Sequence, residues 1–228
     1  FDIWATMDTA KEVGGDFYDF YFVNKDTLAF LIADVSGKGI PAAMFMMNAK
    51  AVLKSYAESG LDVNKVFTLG NEKLCEGNDA GMFVTAWMGF LNTETGEVTF
   101  ANAGHNPPLV RHADGSFEYL KVRAGFVLAG MEGVKYRKNE LQLAPGDVIY
   151  LYTDGVTEAT NINDELYGED RLLALLNANK EASMEELCKL VKEDVFAFAG
   201  EAPQFDDITM LALKYCGATA PTNQEEAL

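Results

Sequence analysis

The chain has 228 residues, 49% of them hydrophobic, which suits one large domain or two small ones and supplies ample material for a core. A formal charge of -17 argues against non-specific binding to nucleic acid or to anionic membranes. Cys75, Cys188 and Cys216 are widely spaced and form no Cys-x-x-Cys pair, which argues against a disulfide framework or a thiolate zinc site and favours a reducing compartment.

The ends of the chain and its hydropathy bear on location. No stretch approaches the roughly 18–20 uninterrupted apolar residues of a membrane span, and no signal peptide is visible. We therefore expect a cytoplasmic protein, either free or as the cytoplasmic part of a larger, membrane-attached one. Because the chain starts at Phe1 inside a strand-like stretch without an initiator Met, we expect an upstream sensor or regulatory domain outside this sequence.

Apolar periodicity predicts the secondary structure in chain order. The strands are expected at residues 17–23, 27–35, 83–91, 97–102, 108–111, 134–143, 147–153 and 207–214, and the helices at 40–57, 62–77, 169–177 and 183–198. Strands and helices follow one another without regular βαβ alternation, which predicts one α+β domain over residues 1–216, with mostly antiparallel sheets covered by helices. The tail, 217–228, lacks apolar periodicity and is expected to be disordered.

The first predicted hairpin brings two carboxylates together. If residues 23 and 27 pair across the turn, Asp16 lies opposite Asp34, and each acid shares a face with apolar residues that we expect to face the core. Two carboxylates this close repel each other unless a cation lies between them, and a hard divalent ion such as Mg²⁺ or Mn²⁺ prefers such oxygen ligands. Ordinary strand-end acids that face solvent are the alternative.

Further acids occur at other strand ends. The strand 147–153 runs into Asp154 and Gly155, with Glu158 one helical turn later, and Asp206 and Asp207 come directly before the last strand. Each alone is typical of a turn or a helix N-cap. Together, three strand ends with the same chemistry favour a binuclear metal site, in which ions about 3.5–4 Å apart activate a water.

Five motifs carry a family resemblance: "VGGDFYD", "DVSGKGIPAAM", "NAGHNPPLV", "LYTDGVTEA" and "DDITMLAL". In this order and spacing they resemble the PPM-type (protein phosphatase 2C-like) serine/threonine phosphatases, in their bacterial SpoIIE-like branch. The resemblance extends from Gly14 to Leu213. It implies a four-layer α-β-β-α sandwich, with a metal cluster between the sheets at one end.

The resemblance also implies roles for individual residues. Asp34 would bridge two Mn²⁺ or Mg²⁺ ions and Asp16 would bind one of them, so that both acids position the attacking water. The remaining ligands would be the Val35 carbonyl, Asp154 and Asp206. Asp207 would either bind metal or support a ligand, and Glu158 would help to bind a third, weaker ion. The glycines expected to let the backbone approach the cluster are Gly14, Gly15, Gly37 and Gly155, although a simple turn at Gly14 and Gly15 would fit equally well.

The reaction implied is hydrolysis of a phosphoserine or phosphothreonine monoester by a metal-activated water, without a covalent enzyme intermediate. Ser36 and Gly37 stand where eukaryotic relatives carry a His as candidate general acid, so the proton donor to the leaving group is open. Lys11 is the basic residue nearest to the position of their phosphate-binding Arg. His105 is more readily explained as a buried turn residue whose ring satisfies backbone groups.

The helix after Asp34 is apolar on nearly every side, which is typical of a helix buried on more than one face. One reading is a core helix. The other, implied by the resemblance, is a regulatory switch formed by Met44, Met46, Met47 and Val52, which an attached sensor or a homodimer interface would move.

Three functions compete at this point. The leading one is a phosphatase acting on a phosphorylated protein, for which the family resemblance implies a bacterial anti-sigma-factor antagonist in a partner-switching relay. A catalytically degenerate phosphatase fold that serves as a regulatory binding module is the second, although all four metal acids remain. The third is another two-metal hydrolase such as a nuclease, which the charge of -17 without a basic stripe argues against.

Overall fold

A computed structural model describes residues 1–113 and 115–218, so most of the predicted tail, 219–228, lies outside the described residues. The strands are β1 (Asp2–Asp8), β2 (Phe17–Asn24), β3 (Thr27–Val35), β4 (Val84–Asn92), β5 (Glu97–Ala103), β6 (Leu109–Arg111), β7 (Phe117–Tyr119), β8 (Asn139–Gln142), β9 (Val148–Tyr152) and β10 (Ile208–Lys214). The helices are α1 (Ile40–Glu58), α2 (Val63–Cys75), α3 (Asp154–Thr157), α4 (Glu169–Ala178) and α5 (Met184–Ala199).

The strands form two five-stranded antiparallel sheets. Sheet A has the order β1-β10-β9-β6-β7, and sheet B has the order β2-β3-β4-β5-β8. Phe30, Trp87 and Leu211 belong to the core between the sheets, which is formed by apolar residues on the inward faces of the strands. A second core lies between sheet B and the pair α1 and α2, and a third lies between sheet A and the pair α4 and α5. The predicted four-layer α-β-β-α sandwich is therefore confirmed.

The hairpin of β2 and β3 has the predicted register from Phe17 to Phe22, but the predicted pairing of residues 23 and 27 is wrong, because Asn24 pairs with Thr27 after a register shift. Phe17 pairs with Ala33 and Tyr18 with Ile32, and a bulge near Asn24 closes the turn. The expectation that the inward face of β2 is core-facing along its whole length is wrong for Phe20 and Phe22, whose side chains are 38% and 53% exposed. β2 is the edge strand of its sheet, and the ring of Phe1, 5.9 Å from that of Phe22, covers the end of this face only in part.

The predicted strand 134–143 is shorter in the structure. Only Asn139–Gln142 pairs with β5, whereas Tyr136 is held by its side chain. The Tyr136 hydroxyl donates to the Val127 carbonyl at 3.1 Å and contacts the Asn71 side chain on α2. The segment before β8 is thus fixed by buried polar contacts, which apolar alternation does not reveal. No helix within 1–113 and 115–218 is both long and apolar enough to cross a bilayer.

Candidate metal centre

The four candidate metal acids lie at the ends of four different strands. Asp16 directly precedes β2, Asp34 is the penultimate residue of β3, Asp154 follows β9 as the first residue of α3, and Asp206 lies just before β10. Hydrogen bonds join the two sheets at this point. The Asp16 carboxylate accepts a hydrogen bond from the Thr153 hydroxyl at 2.8 Å and another from the Thr209 hydroxyl.

The electrostatics of Asp34 show that the acids are close to one another. Burial, then the negative charge of Asp154, and to a smaller extent those of Asp206 and Asp207, raise the pKa of Asp34 to about 7, against a side-chain hydrogen bond with Asp16 that lowers it. Burial, followed by the charge of Asp34, raises the pKa of Asp16 well above its ordinary value. Without a cation, the pair therefore retains a proton more readily than two isolated acids would.

A lysine supplies positive charge on the other side of the cluster. The Lys38 ammonium lies 2.9 Å from an Asp206 carboxylate oxygen, donates to the Phe205 carbonyl, and sits 3.4 Å from the centre of the Phe205 ring. Burial, Glu158 and Asp206 raise the pKa of Asp154, while the charge of Lys38 opposes that rise. Lys38 thus offsets part of the negative charge at Asp206 and Asp154.

Asp207 holds the backbone around the site. One of its carboxylate oxygens accepts a hydrogen bond from the Ala10 amide at 2.9 Å, and the other accepts from the Asp16 amide at 3.3 Å. Its own amide donates to the Asp206 carboxylate at 2.9 Å. Asp207 thus holds the backbone of Ala10 and Asp16, and whether it also binds metal stays a prediction.

Glycines allow the segments of the site to pack tightly. A Cβ on Gly14 would lie 1.9 Å from an Asp207 carboxylate oxygen, and one on Gly155 would lie 2.0 Å from the Asp207 carbonyl oxygen. A Cβ on Gly15 would lie 2.8 Å from the carbonyl oxygen of Val35, the candidate backbone ligand. At Gly37 a Cβ would meet nothing closer than 3.8 Å, and glycine is favoured there by its φ of +87°.

His105 is buried in the turn after β5. Burial lowers its pKa to about 4, so the imidazole is neutral at pH 7. Its Nδ1 lies 3.0 Å from the hydroxyl of Thr85, the residue paired with Asp34, whereas its backbone is held by the Asn102 side chain. The expected burial is confirmed; the ring contacts a hydroxyl through Nδ1, and a hydrogen bond with the Tyr152 backbone raises its pKa against the effect of burial.

The helix α1 has one face typical of a core helix and another that is exposed and apolar, as a regulatory surface would be. Ala42, Ala49 and Leu53 are buried against sheet B, and Met46 and Val52 pack against that core as half-buried residues. On the opposite side Ile40, Met44 and Met47 are 69%, 68% and 68% exposed. The helix therefore belongs to the core on one face and offers an apolar stripe on the other.

The donor set suits hard cations, since it consists of carboxylates and a backbone carbonyl. Within the parts of the chain that the structure describes, however, no three His, Cys, Asp or Glu side chains form a closed cage for an ion. The Asp16 carboxylate accepts hydrogen bonds from Thr153 and Thr209, and Asp206 is paired with Lys38. The residues fit a metal centre chemically, and a cation that approaches these oxygens would compete with those contacts.

Sequence reasoning missed three residues at this site: Lys38, Thr153 and Thr209. Thr209 follows the Asp-Asp pair by two positions, so strand alternation could have placed it on the same side as Asp207. The position of Lys38 depends on the path of the Gly37-Lys38-Gly39 turn, where both glycines have positive φ. The sequence pattern gave no signal for the direction of that side chain.

Comparison with known proteins agrees with this geometry. Residues 24–215 match the family described as Stage II sporulation protein E (SpoIIE). The chain belongs to the SpoIIE family. The predicted resemblance to PPM-type phosphatases of the SpoIIE-like branch is therefore confirmed.

Similar proteins place the domain in context. Protein IcfG of Synechocystis is 32% identical over 92% of this chain and 37% of its own length, and the phosphoserine phosphatase RsbU of Bacillus subtilis is 32% identical over 93% of this chain and 63% of its own. The crystal structure of the RsbU and RsbW domains of Rv1364c from Mycobacterium tuberculosis superposes with a TM-score of 0.80, at 26% identity, over 96% of this chain and 61% of that one. The chain thus spans less than two thirds of each.

Proposed function

We propose that this SpoIIE-family domain is a metal-dependent protein serine/threonine phosphatase that hydrolyses a phosphoserine or phosphothreonine monoester. The observation that carries the proposal is that Asp16, Asp34, Asp154 and Asp206 come from four strand ends, with the charge of Asp34 raising the pKa of Asp16 and the charges of Asp154 and Asp206 raising the pKa of Asp34. Phosphatases of this family are metal dependent, and RsbU, similar over nearly the whole domain, is named a phosphoserine phosphatase.

In the proposed site, two Mn²⁺ or Mg²⁺ ions are held by the four aspartates and the Val35 carbonyl. When bound, such ions lower the pKa of a water and offset negative charge on phosphoryl oxygens. The charges of Asp154, Asp206 and Asp207 all raise the pKa of Asp34, which supports a central position for Asp34 among these acids. Asp16 is oriented by the hydroxyls of Thr153 and Thr209, which fixes its carboxylate relative to sheet A.

Glu158 lies at the edge of the same cluster, since its charge raises the pKa of Asp154. This supports a role for Glu158 at a third, weaker metal site. Asp207 acts in this proposal through the backbone of Ala10 and Asp16.

The proposed substrate is a phosphorylated protein, namely an anti-sigma-factor antagonist in a partner-switching relay. RsbU and the fused RsbU and RsbW domains of the mycobacterial protein support this choice, because they are phosphatase relatives that this chain resembles over more than nine tenths of its length. We place the reaction in the cytoplasm of a bacterium, in a protein whose regulatory domain adjoins this one.

The exposed stripe of α1 is the proposed regulatory switch. Met44 and Met47 offer a flexible apolar surface, while Met46 and Val52 connect it to the core beside β3. Because α1 begins six residues after Asp34, movement of the helix acts directly on the segment that carries the candidate bridging acid. We propose that a homodimer contact or an attached sensor covers this stripe and sets the position of Asp34.

A regulatory binding module without catalysis is the second candidate. The ion pair of Lys38 with Asp206 favours it, because a lysine that stays in place would neutralise one of the acids needed for metal.

The decisive experiment compares the wild-type chain with Asp34→Asn in hydrolysis of p-nitrophenyl phosphate and of a phosphoserine peptide, with Mn²⁺ titrated from zero. Metal-dependent turnover in the wild type and a loss of at least about a hundredfold in Asp34→Asn are expected. Absence of turnover on both substrates, combined with Mn²⁺ binding too weak to saturate, would favour the binding module.

A further inference from the structure

A basic cleft lies on a chain whose charge is otherwise strongly negative. Residues 121–138 contain five Lys or Arg residues and one Glu, whereas the whole chain has 18 basic and 35 acidic residues. Arg123, Lys135 and Arg137 from this segment line a cleft of about 380 Å³, together with Asn102, Ala124, Gly125, Phe126 and Asn139. This clustering gives the acidic surface one site that attracts anions.

The three basic side chains of the cleft are available for a partner. Arg123, Lys135 and Arg137 are exposed, and within the described chain none of them forms a salt bridge, unlike Lys138 beside them, which contacts Asp62 and Glu140. Phe126 is 50% exposed at the same place. A closed pocket would bury most of a small ligand, whereas this cleft is lined mainly by exposed residues and suits a segment of a protein.

The cleft lies at the same end of the sandwich as the metal acids. Neighbouring strands of sheet B are antiparallel, so β3 and β5 run in the same direction, and Asp34 and Asn102 lie near their C-terminal ends. Two strand spacings across the sheet and two residues along it separate their Cα atoms, which amounts to about 12 Å. An extended peptide covers that distance with about four residues.

Hydrogen bonds connect the cleft to the site and to α2. Asn102 lines the cleft and holds the backbone of His105, whose ring contacts Thr85 opposite Asp34. On its other side the loop is tied to α2, because the Ala129 amide donates to the Asn71 side chain at 2.9 Å. The cleft is therefore built on a fixed part of the molecule, where a docked segment would have a defined position relative to Asp34.

We propose that the cleft formed by Arg123, Lys135 and Arg137 docks an acidic segment of the phosphoprotein substrate, about four residues from the phosphorylated side chain. This proposal rests on the proposed phosphatase function. The negative remainder of the surface repels an acidic segment, so that attraction is confined to the cleft and orients the substrate as it approaches.

The test uses two synthetic phosphoserine peptides of equal length, one with four Glu residues beginning four positions from the phosphoserine and one with Gln at those positions. The ratio of their kcat/KM values is measured with Mn²⁺ for the wild type and for the cleft variant Arg123→Glu/Arg137→Glu. The control is Lys25→Glu/Lys189→Glu, because these two lysine side chains lie outside the cleft and are 87% and 69% exposed. We expect the wild type and the control to prefer the acidic peptide by about tenfold, the size of three exposed ion pairs, and the cleft variant to lose this preference.

A binding measurement separates failure of the docking proposal from failure of the phosphatase proposal. Fluorescence anisotropy with the unphosphorylated acidic peptide needs no catalysis, and it should show weaker binding to Arg123→Glu/Arg137→Glu than to the wild type and the control. Circular dichroism of each variant verifies folding. The docking proposal would be overturned if all three proteins bound the peptide equally, or if the folded cleft variant kept its kcat/KM preference for the acidic peptide. Absence of turnover together with cleft-dependent peptide binding would overturn only the phosphatase proposal.

Discussion

Replacing Asp34 by Asn should stabilise the metal-free protein at pH 8. The pKa of Asp34 is raised in the folded state from 3.8 to about 7, chiefly by burial and by Asp154. A raised acid pKa means that the folded state binds more protons than the unfolded state between these two values, so stability falls as the pH rises through this window. Asn carries no charge and avoids this loss.

The magnitude follows from the size of the shift. About three pKa units at 1.36 kcal/mol each correspond to roughly 4 kcal/mol, and partial solvent screening reduces the expected gain in the free energy of unfolding to about 2–4 kcal/mol at pH 8. At pH 4 the folded wild type is already protonated at Asp34, and the two proteins should differ by less than about 1 kcal/mol.

The assay is urea unfolding in the presence of a chelator, at pH 4 and pH 8, with Asp79→Asn as a control at an exposed acid outside the site. Adding Mn²⁺ at pH 8 should then stabilise the wild type and not Asp34→Asn, because the ion replaces the proton between the acids. If Asp34→Asn gains no stability at pH 8 over the wild type in chelator, the electrostatic account of the cluster is wrong.

Three further predictions concern other parts of the site. Lys38→Met removes the cation that competes for Asp206, so calorimetry should show Mn²⁺ binding tightened by roughly threefold or more, and weaker binding would contradict the competition. Gly155→Ala places a Cβ 2.0 Å from the Asp207 carbonyl oxygen and should lower stability by about 2 kcal/mol or more in urea unfolding, an unchanged midpoint counting against the tight packing. Met44→Glu/Met47→Glu changes exposed side chains, so the free energy of unfolding should shift by less than about 1 kcal/mol. Sedimentation should show loss of a dimer, or kinetics should show loss of activation; if dimer and activation are both retained, the stripe is not the switch.

The sequence was sufficient to predict the sandwich and the register of the first hairpin. Alternation along residues 17–35 and a short turn allow one pairing that keeps Phe30 and Ile32 inside, and that pairing predicts Asp16 opposite Asp34; the pairs from Phe17 to Phe22 follow it. The same alternation could not show that β2 is an edge strand, because strand order depends on contacts distant in sequence. Phe20 and Phe22 were therefore expected in the core and are exposed.

The sequence pointed to the acids of the candidate site, but it did not predict that the Lys38 ammonium lies beside them. Strand ends with Asp and Gly point to carboxylates gathered at one end of the sheets, whereas the direction of Lys38 depends on two positive-φ glycines and on the path of the chain before β10. The segment before β8 was also not predictable, because its position depends on contacts between residues that are distant in sequence. Asn71 and Tyr136 hold it through long-range hydrogen bonds, so a periodicity-based strand at 134–138 was wrong.

Anomalous diffraction from crystals soaked in Mn²⁺ is the most direct test of the metal centre. Two peaks about 3.5–4 Å apart should lie among Asp16, Asp34, Asp154 and Asp206, with the Lys38 ammonium moved away from Asp206. Manganese bound elsewhere, with Lys38 still paired to Asp206 and no peak among the four aspartates at saturating concentration, would contradict the account.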